Sequence, residues 1–171
     1  IIHYTGMRNQ SKALKRLCDF NSKVSAHYFI KNNGKLLNLV PDLYEAWHAG
    51  KSCWKNYKSL NRNSIGVEIN NPGHENGYVK FKEKQLSTLN KLLRKLIKKY
   101  KIKVNNILGH SDISPNRKKD PGEKFPWKRL SKNGLGIWYN NFKKSAIKQK
   151  NFKMKKMFFK NLYKIGYRYF D

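Results

Sequence analysis

The segment Ser64-Ile65-Gly66-Val67-Glu68-Ile69-Asn70 alternates in character along its whole length. In an extended chain Ile65, Val67 and Ile69 share one face, while Gly66, Glu68 and Asn70 share the other. Such a strand needs a packed layer on one side, which commits the chain to a sheet. It also sets a carboxylate at mid-strand, which is costly unless the acid is paired, exposed or working. Acids are scarce here: 10 Asp and Glu stand against 38 Lys and Arg in 171 residues.

Other segments extend the pattern. Residues 1–4 read as a strand ending before Gly6, and Ser11 to Cys18 as a short helix. Val24 to Ile30 and Lys35 to Val40 read as a hairpin around Asn32-Asn33-Gly34, a turn that accepts positive φ. Ala46 to Leu60 reads as a long loop. Phe81 to Tyr100 is the clearest helix, with Leu86, Leu89, Leu93, Leu96 and Ile97 as its apolar stripe. Val104 to His110 reads as a further strand. Strands alternating with helices predict an α/β fold with a mixed central sheet flanked by helices.

The run from Gly109 to Gly122 gathers His110, Asp112, Lys118, Lys119 and Asp120 into one turn-rich loop after an apolar stretch. Histidine plus carboxylate at the exit of a strand is the chemistry of a zinc site or an acid/base pair. His3, at the end of the first strand, has a similar setting. There is no HxxH or HExxH, so any ligands must converge from separate elements. Asp112, two residues from His110, is a rival ligand to Asp120, with orienting His110 or capping the loop as its other roles.

Taken in order, Ile2-His3-Tyr4-Thr5, Val24 to Ile30, Ala46-Trp47-His48-Ala49-Gly50, Ser64 to Asn70, and Gly109 to Gly122 with Phe125-Pro126-Trp127 resemble the zinc-dependent N-acetylmuramoyl-L-alanine amidases of the amidase-2 family. That fold is shared with phage T7 lysozyme and the peptidoglycan recognition proteins. The resemblance spans residues 1–139. It implies one Zn2+ per chain, held by His3, His110 and Asp120, and a catalytic pair of Glu68 and Lys118. Glu68 would be the general base and Lys118 the oxyanion partner. The choice of Lys118 over Arg117 and Lys119 rests on the family's spacing of a lysine two residues before the aspartate. Ala26 stands where the phage and recognition-protein branch carries a tyrosine, and Asp120 where the phage branch tends to carry cysteine. The implied reaction is hydrolysis of the bond between N-acetylmuramic acid and L-alanine in peptidoglycan or a muropeptide. The alternative is a recognition module that binds peptidoglycan without cleaving it.

Position also marks His48, Trp54, Asn61 and Arg62 as groove residues for substrate. His27 reads as a satisfied sheet histidine and His74, in a Pro-Gly turn, as exposed. The net charge of +28 invites a nucleic-acid reading. Lysine is nevertheless spread through every segment with no recognition motif, so no specific nucleic acid is expected. No apolar run is long enough for a transmembrane span. Cys18 and Cys53 do not make a disulfide framework.

Residues 140–157 are polar and lysine-rich. Met157 to Tyr167 turns apolar again, like the opening helix of a small peptidoglycan-binding module or a helix packed on the domain before it. The division expected is a catalytic domain over 1–139 and a linker with a helical segment over 140–171, in a monomer. The chain starts without Met on a core strand, so a signal peptide or lipid anchor stays open. A bacterial cell-envelope or secreted location is expected, with the cytoplasm as the alternative.

Overall fold

The computed structural model describes residues 1–139 and 152–168. Its strands are β1 (Ile2–Tyr4), β2 (Tyr28–Ile30), β3 (Leu36–Asn38), β4 (Cys53–Trp54), β5 (Tyr57–Lys58) and β6 (Val67–Ile69). The main sheet runs β1-β6-β2-β3. β6 pairs in parallel with both β1 and β2, and β2 pairs antiparallel with β3. This is the mixed sheet expected. β4 and β5 form a separate small hairpin inside the stretch read as a loop.

The helices are α1 (Gln10–Cys18), α2 (Glu83–Tyr100), α3 (His110–Ile113), α4 (Trp127–Lys132) and α5 (Phe152–Ile165). None among the described residues is long and apolar enough to cross a membrane. On one face of the sheet Ile2, Tyr28, Ile30, Val67 and Ile69 pack with Leu86, Leu89, Leu92, Leu93 and Leu96 of α2, and with Phe125, Leu130 and Leu135. Burying each leucine is worth about 1.5–3 kcal/mol over leaving it exposed, so the α2 stripe is a main anchor of the fold.

Two polar contacts set where α2 begins. The Gln85 side chain accepts from Lys82 N–H at 3.0 Å and donates to the Asn70 carbonyl at 2.8 Å, tying the helix start to the end of β6. The β2–β3 turn docks beside it: Thr88 Oγ1 donates to the Gly34 carbonyl at 2.7 Å. Gly34 has φ +85°, and a Cβ there would lie 2.7 Å from the Lys84 carbonyl oxygen, so no side chain fits.

The opposite face carries the other half of each strand. His3 is the Cα partner of Glu68, and Glu68 of Phe29, so the three form one row across β1, β6 and β2. α1 lies on this side; its Ala13, Arg16 and Leu17 form part of the cleft wall.

The strand expected over Val104 to His110 does not form. Val104–Asn106 is a 3-10 turn, and among the described residues the stretch meets the sheet only through the bridge of Gly109 to Ile2. Ile107 and Leu108 are buried in different clusters, as neighbouring extended residues are, but the 3-10 turn before them and the helix start after them leave too short a stretch for a ladder. His110 instead opens α3, whose start is capped when Asp112 Oδ2 accepts from Gly109 N–H at 2.8 Å. At the C-terminal end, α5 begins at Phe152, ahead of the apolar turn at Met157. Residues 140–151, most of the expected linker, lie outside the described residues.

Candidate active site

Each residue of the proposed site is placed by a different element. His3 comes from β1, Glu68 from β6, His110 from the first turn of α3, and Asp120 from the loop after it. Ser111 N–H donates to the Asp120 carbonyl at 2.9 Å, closing that loop back on α3. His3, His110 and Asp120 are all buried.

Their donor atoms meet. His3 Nδ1 lies 2.9 Å from Asp120 Oδ2 and 3.0 Å from His110 Nδ1, and His110 Nδ1 lies 3.2 Å from Asp120 Oδ2. The His110 tautomer follows from its other nitrogen. Nε2 faces the Ala49 carbonyl at 3.0 Å, which can only accept, so Nε2 carries the proton. With that tautomer, Nδ1 turns a lone pair towards the Asp120 carboxylate. Two acceptors at that distance repel unless a cation lies between them. Two imidazole nitrogens and a carboxylate oxygen suit a divalent transition metal of the zinc type, with room for a fourth ligand. Among the described residues these three are the group that could hold a metal ion.

Protonation favours the same role. Burial lowers the His3 pKa to about 4, keeping the ring neutral. Burial alone would raise Asp120, but in the metal-free chain a proton shared with the facing His110 and His3 nitrogens stands in for the cation and holds its carboxyl well below the usual carboxylate range. When His3 offers Nδ1 to a cation, its Nε2–H donates to His48 Nδ1, 3.1 Å away. His48 is itself buried, and burial with the neighbouring His3 keeps its pKa well below normal. It fits there because residue 66 is glycine: a Cβ on Gly66 would come 2.3 Å from the His48 ring. His27 accepts from Gly66 N–H through Nδ1 at 3.0 Å and points Nε2 at the Tyr44 carbonyl at 2.9 Å, the satisfied histidine expected.

The cleft above these residues has a volume of about 430 Å³. Glu68, His48 and Lys118 line it, and so do Arg16, Trp47 and His74. Glu68 Oε2 is buried without a hydrogen-bond partner among the described residues. Burial, and then the negative charge of Asp120, push its pKa up to about 8, against a weaker pull from Lys118 and Arg16. A carboxyl set near neutrality beside a possible metal site can exchange protons with a reacting group.

Three residues read as groove positions sit elsewhere. Trp54 is 3% exposed and packs against Gly166 and Tyr167, because the chain just after α5 returns to cover it. Asn61 Oδ1 accepts from Ala49 N–H at 2.7 Å and Gly50 N–H at 3.2 Å, so its side chain holds the loop carrying His48. Arg62 turns outward to Glu45 at 3.1 Å. None of the three lines the cleft. His74, read as exposed, is half-buried on the cleft wall, accepting from Tyr4 Oη at 2.8 Å and stacking on Tyr78. Arg16 and Trp47 were not singled out; the only sequence signal for Trp47 was its place beside His48.

Comparison with known proteins agrees with this geometry. The family described as N-acetylmuramoyl-L-alanine amidase (Amidase_2) matches residues 1–123. N-acetylmuramoyl-L-alanine amidase AmiD of Escherichia coli is 39% identical over 150 residues, covering 81% of this chain and 53% of that protein. The 1,6-anhydro-N-acetylmuramyl-L-alanine amidase AmpD of Haemophilus influenzae is 37% identical over 111 residues, covering 64% and 58%. The chain thus spans little more than half the length of these relatives. The solved complex of E. coli AmiD with anhydro-N-acetylmuramic acid-L-Ala-D-gamma-Glu-L-Lys superposes with a TM-score of 0.84 at 31% identity, over 99% of this chain and 71% of that one.

Proposed function

The chain belongs to the amidase-2 family of N-acetylmuramoyl-L-alanine amidases, and on that premise we propose that it hydrolyses the amide between the lactyl group of N-acetylmuramic acid and L-alanine. The observation that carries this reading is the convergence of His3, His110 and Asp120 beside Glu68 at the floor of one cleft.

His3, His110 and Asp120 would hold one zinc ion. Bound there, zinc supplies Lewis acidity that polarises the amide carbonyl and acidifies the attacking water. Glu68 takes a proton from that water as the oxygen adds to the carbonyl carbon, and gives it to the alanine nitrogen as the C–N bond breaks. The products are the lactyl carboxylate and a free α-amine. Lys118, on the cleft wall, faces the negative charge that develops on the carbonyl oxygen, where a cation is worth more in the transition state than before it. His48 orients His3, and Trp47 and Arg16 border the substrate.

Muropeptide is the substrate class, as in the AmiD complex, and the working unit is a monomer comprising a catalytic domain over 1–139 with a helical segment after it. A cell-envelope setting suits action on peptidoglycan, and a cytoplasmic one suits recycled muropeptides. Metal analysis of the purified chain, with mass spectrometry of a digested muramyl-peptide, tests the proposal. One zinc per chain and release of the intact stem peptide are expected. Binding of the muropeptide without cleavage would replace the enzyme reading with a recognition module.

A further inference from the structure

The end of α5 reaches the metal loop by a path that the reaction does not use. The Gly166 carbonyl accepts from Lys55 N–H at 2.8 Å, in the β4–β5 hairpin. A Cβ on Gly166 would lie 2.5 Å from the Trp54 ring, so glycine alone lets the chain pass this close. The next residue, Tyr167, packs edge-on against Trp54 with ring centroids 5.0 Å apart. It joins a small apolar cluster of Ala49, Trp54, Leu60, Leu108 and Ile113. From that seat its hydroxyl donates to Asp112 Oδ1.

Asp112 uses its second oxygen to accept from Gly109 N–H at 2.8 Å. That bond fixes the backbone immediately before His110. His110 is held at its far side by the Ala49 carbonyl, and Ala49 belongs to the cluster that Tyr167 closes. Tyr167 therefore supports the His110 ring from two sides: through Asp112 on the backbone, and through the Ala49 cluster on Nε2.

We propose that Tyr167 is a positioning residue for His110, so that docking of the C-terminal segment sets how well the chain holds its metal. This role rests on the metal-site reading above. Without the hydroxyl, Asp112 loses the donor that fixes its carboxylate plane, and the Gly109–His110 peptide gains freedom. A ligand free to swing binds metal less tightly, since part of the binding energy must first order it.

The test uses the whole chain and zinc alone. The dissociation constant is measured by competition with a chromophoric chelator for wild type, Tyr167→Phe, Asp112→Ala and the double variant, with thermal unfolding of the metal-free forms beside it. Tyr167→Phe keeps the ring and its packing, so the fold is retained. It should weaken zinc binding about 10-fold, the lower end for partners that orient metal ligands. Asp112→Ala should weaken it at least as much, and Tyr167→Phe should add little in that background because both act through one hydrogen bond. An unchanged zinc constant in Tyr167→Phe overturns the role, whatever happens to its melting temperature. Fully additive losses overturn it too. A wild type that binds no zinc overturns the metal site itself and this role with it, an outcome distinct from a zinc-binding wild type insensitive to Tyr167.

Discussion

His3 and Glu68 are Cα partners on adjacent parallel strands, their side chains on the same face of the sheet. The proposed metal ligand and the proposed proton carrier are therefore held side by side by backbone hydrogen bonds, without any loop between them. Slipping β1 by one residue would send His3 into the leucine core and Ile2 into the cleft, so the core pattern enforces the register that faces His3 and Glu68 into the cleft.

Glu68→Gln should keep the fold and the metal but lose about 10²–10⁴ in turnover, the usual worth of a general base. The same variant carries a stability signature in metal-free protein. The folded carboxyl titrates near 8 and its reference value is 4.5, so between those values the folded state holds the extra proton. Stability of the wild type should then fall as pH rises across that window, and Glu68→Gln should remove this component. Melting curves of both metal-free forms at several pH values check it; a gap between them that does not widen with pH would take Glu68 out of its buried setting.

Lys118→Ala should lower kcat far more than it raises KM, because its contact forms with charge that appears only in the transition state. Lys119→Ala should do little, although both line the cleft. Steady-state kinetics on a small muramyl-peptide rank the two, and the opposite ranking would shift the oxyanion role by one residue.

Substitution at His48 should show in metal affinity. His48→Leu removes the acceptor that faces His3 Nε2 and should weaken zinc about 10–100-fold. His48→Asn returns an oxygen near the former Nδ1 and should recover much of the loss. Equal zinc constants for the two variants would reduce His48 to a space filler over Gly66.

The charge of +28 should act on encounter and leave the chemistry alone. Surface fields are screened over about 8–10 Å at physiological salt, and buried groups much less. Added salt should raise apparent KM on intact sacculi, which carry anionic groups, and barely change turnover of a small muramyl-peptide. A parallel loss on both substrates would point to a cation in the cleft, with Arg16 or Lys118 the first to replace.

The parts legible in the sequence were those written by local periodicity. Alternation around Glu68 named its face, the leucine stripe named α2, and Asn32-Asn33-Gly34 named the turn. The meeting of His3 with His110 and Asp120 is not a spacing property. It came from the family resemblance, and the structure brings the three together. Trp54 misled because its position in the loop after His48 says nothing of its burial; its cover, Gly166 and Tyr167, arrives from far along the chain. Val104 to His110 misled because a short apolar run reads as a strand, whereas Val104–Asn106 closes a 3-10 turn and Asp112 caps a helix at His110. Asn61 and Arg62 were placed by proximity alone, and one bonds inward to the His48 loop while the other turns out to Glu45.

The row of His3, Glu68 and Phe29 is backed, one residue away on the same strands, by Ile2, Val67 and Tyr28. Close-packed interiors transmit strain instead of absorbing it. A methyl group added or lost at Val67 is thus delivered through a single layer of backbone to the alignment of Glu68 with His3. Such a variant can stay folded and yet lose rate, and the sheet then works as a strain gauge, reporting in turnover a misfit on its hydrocarbon side too small to register as unfolding.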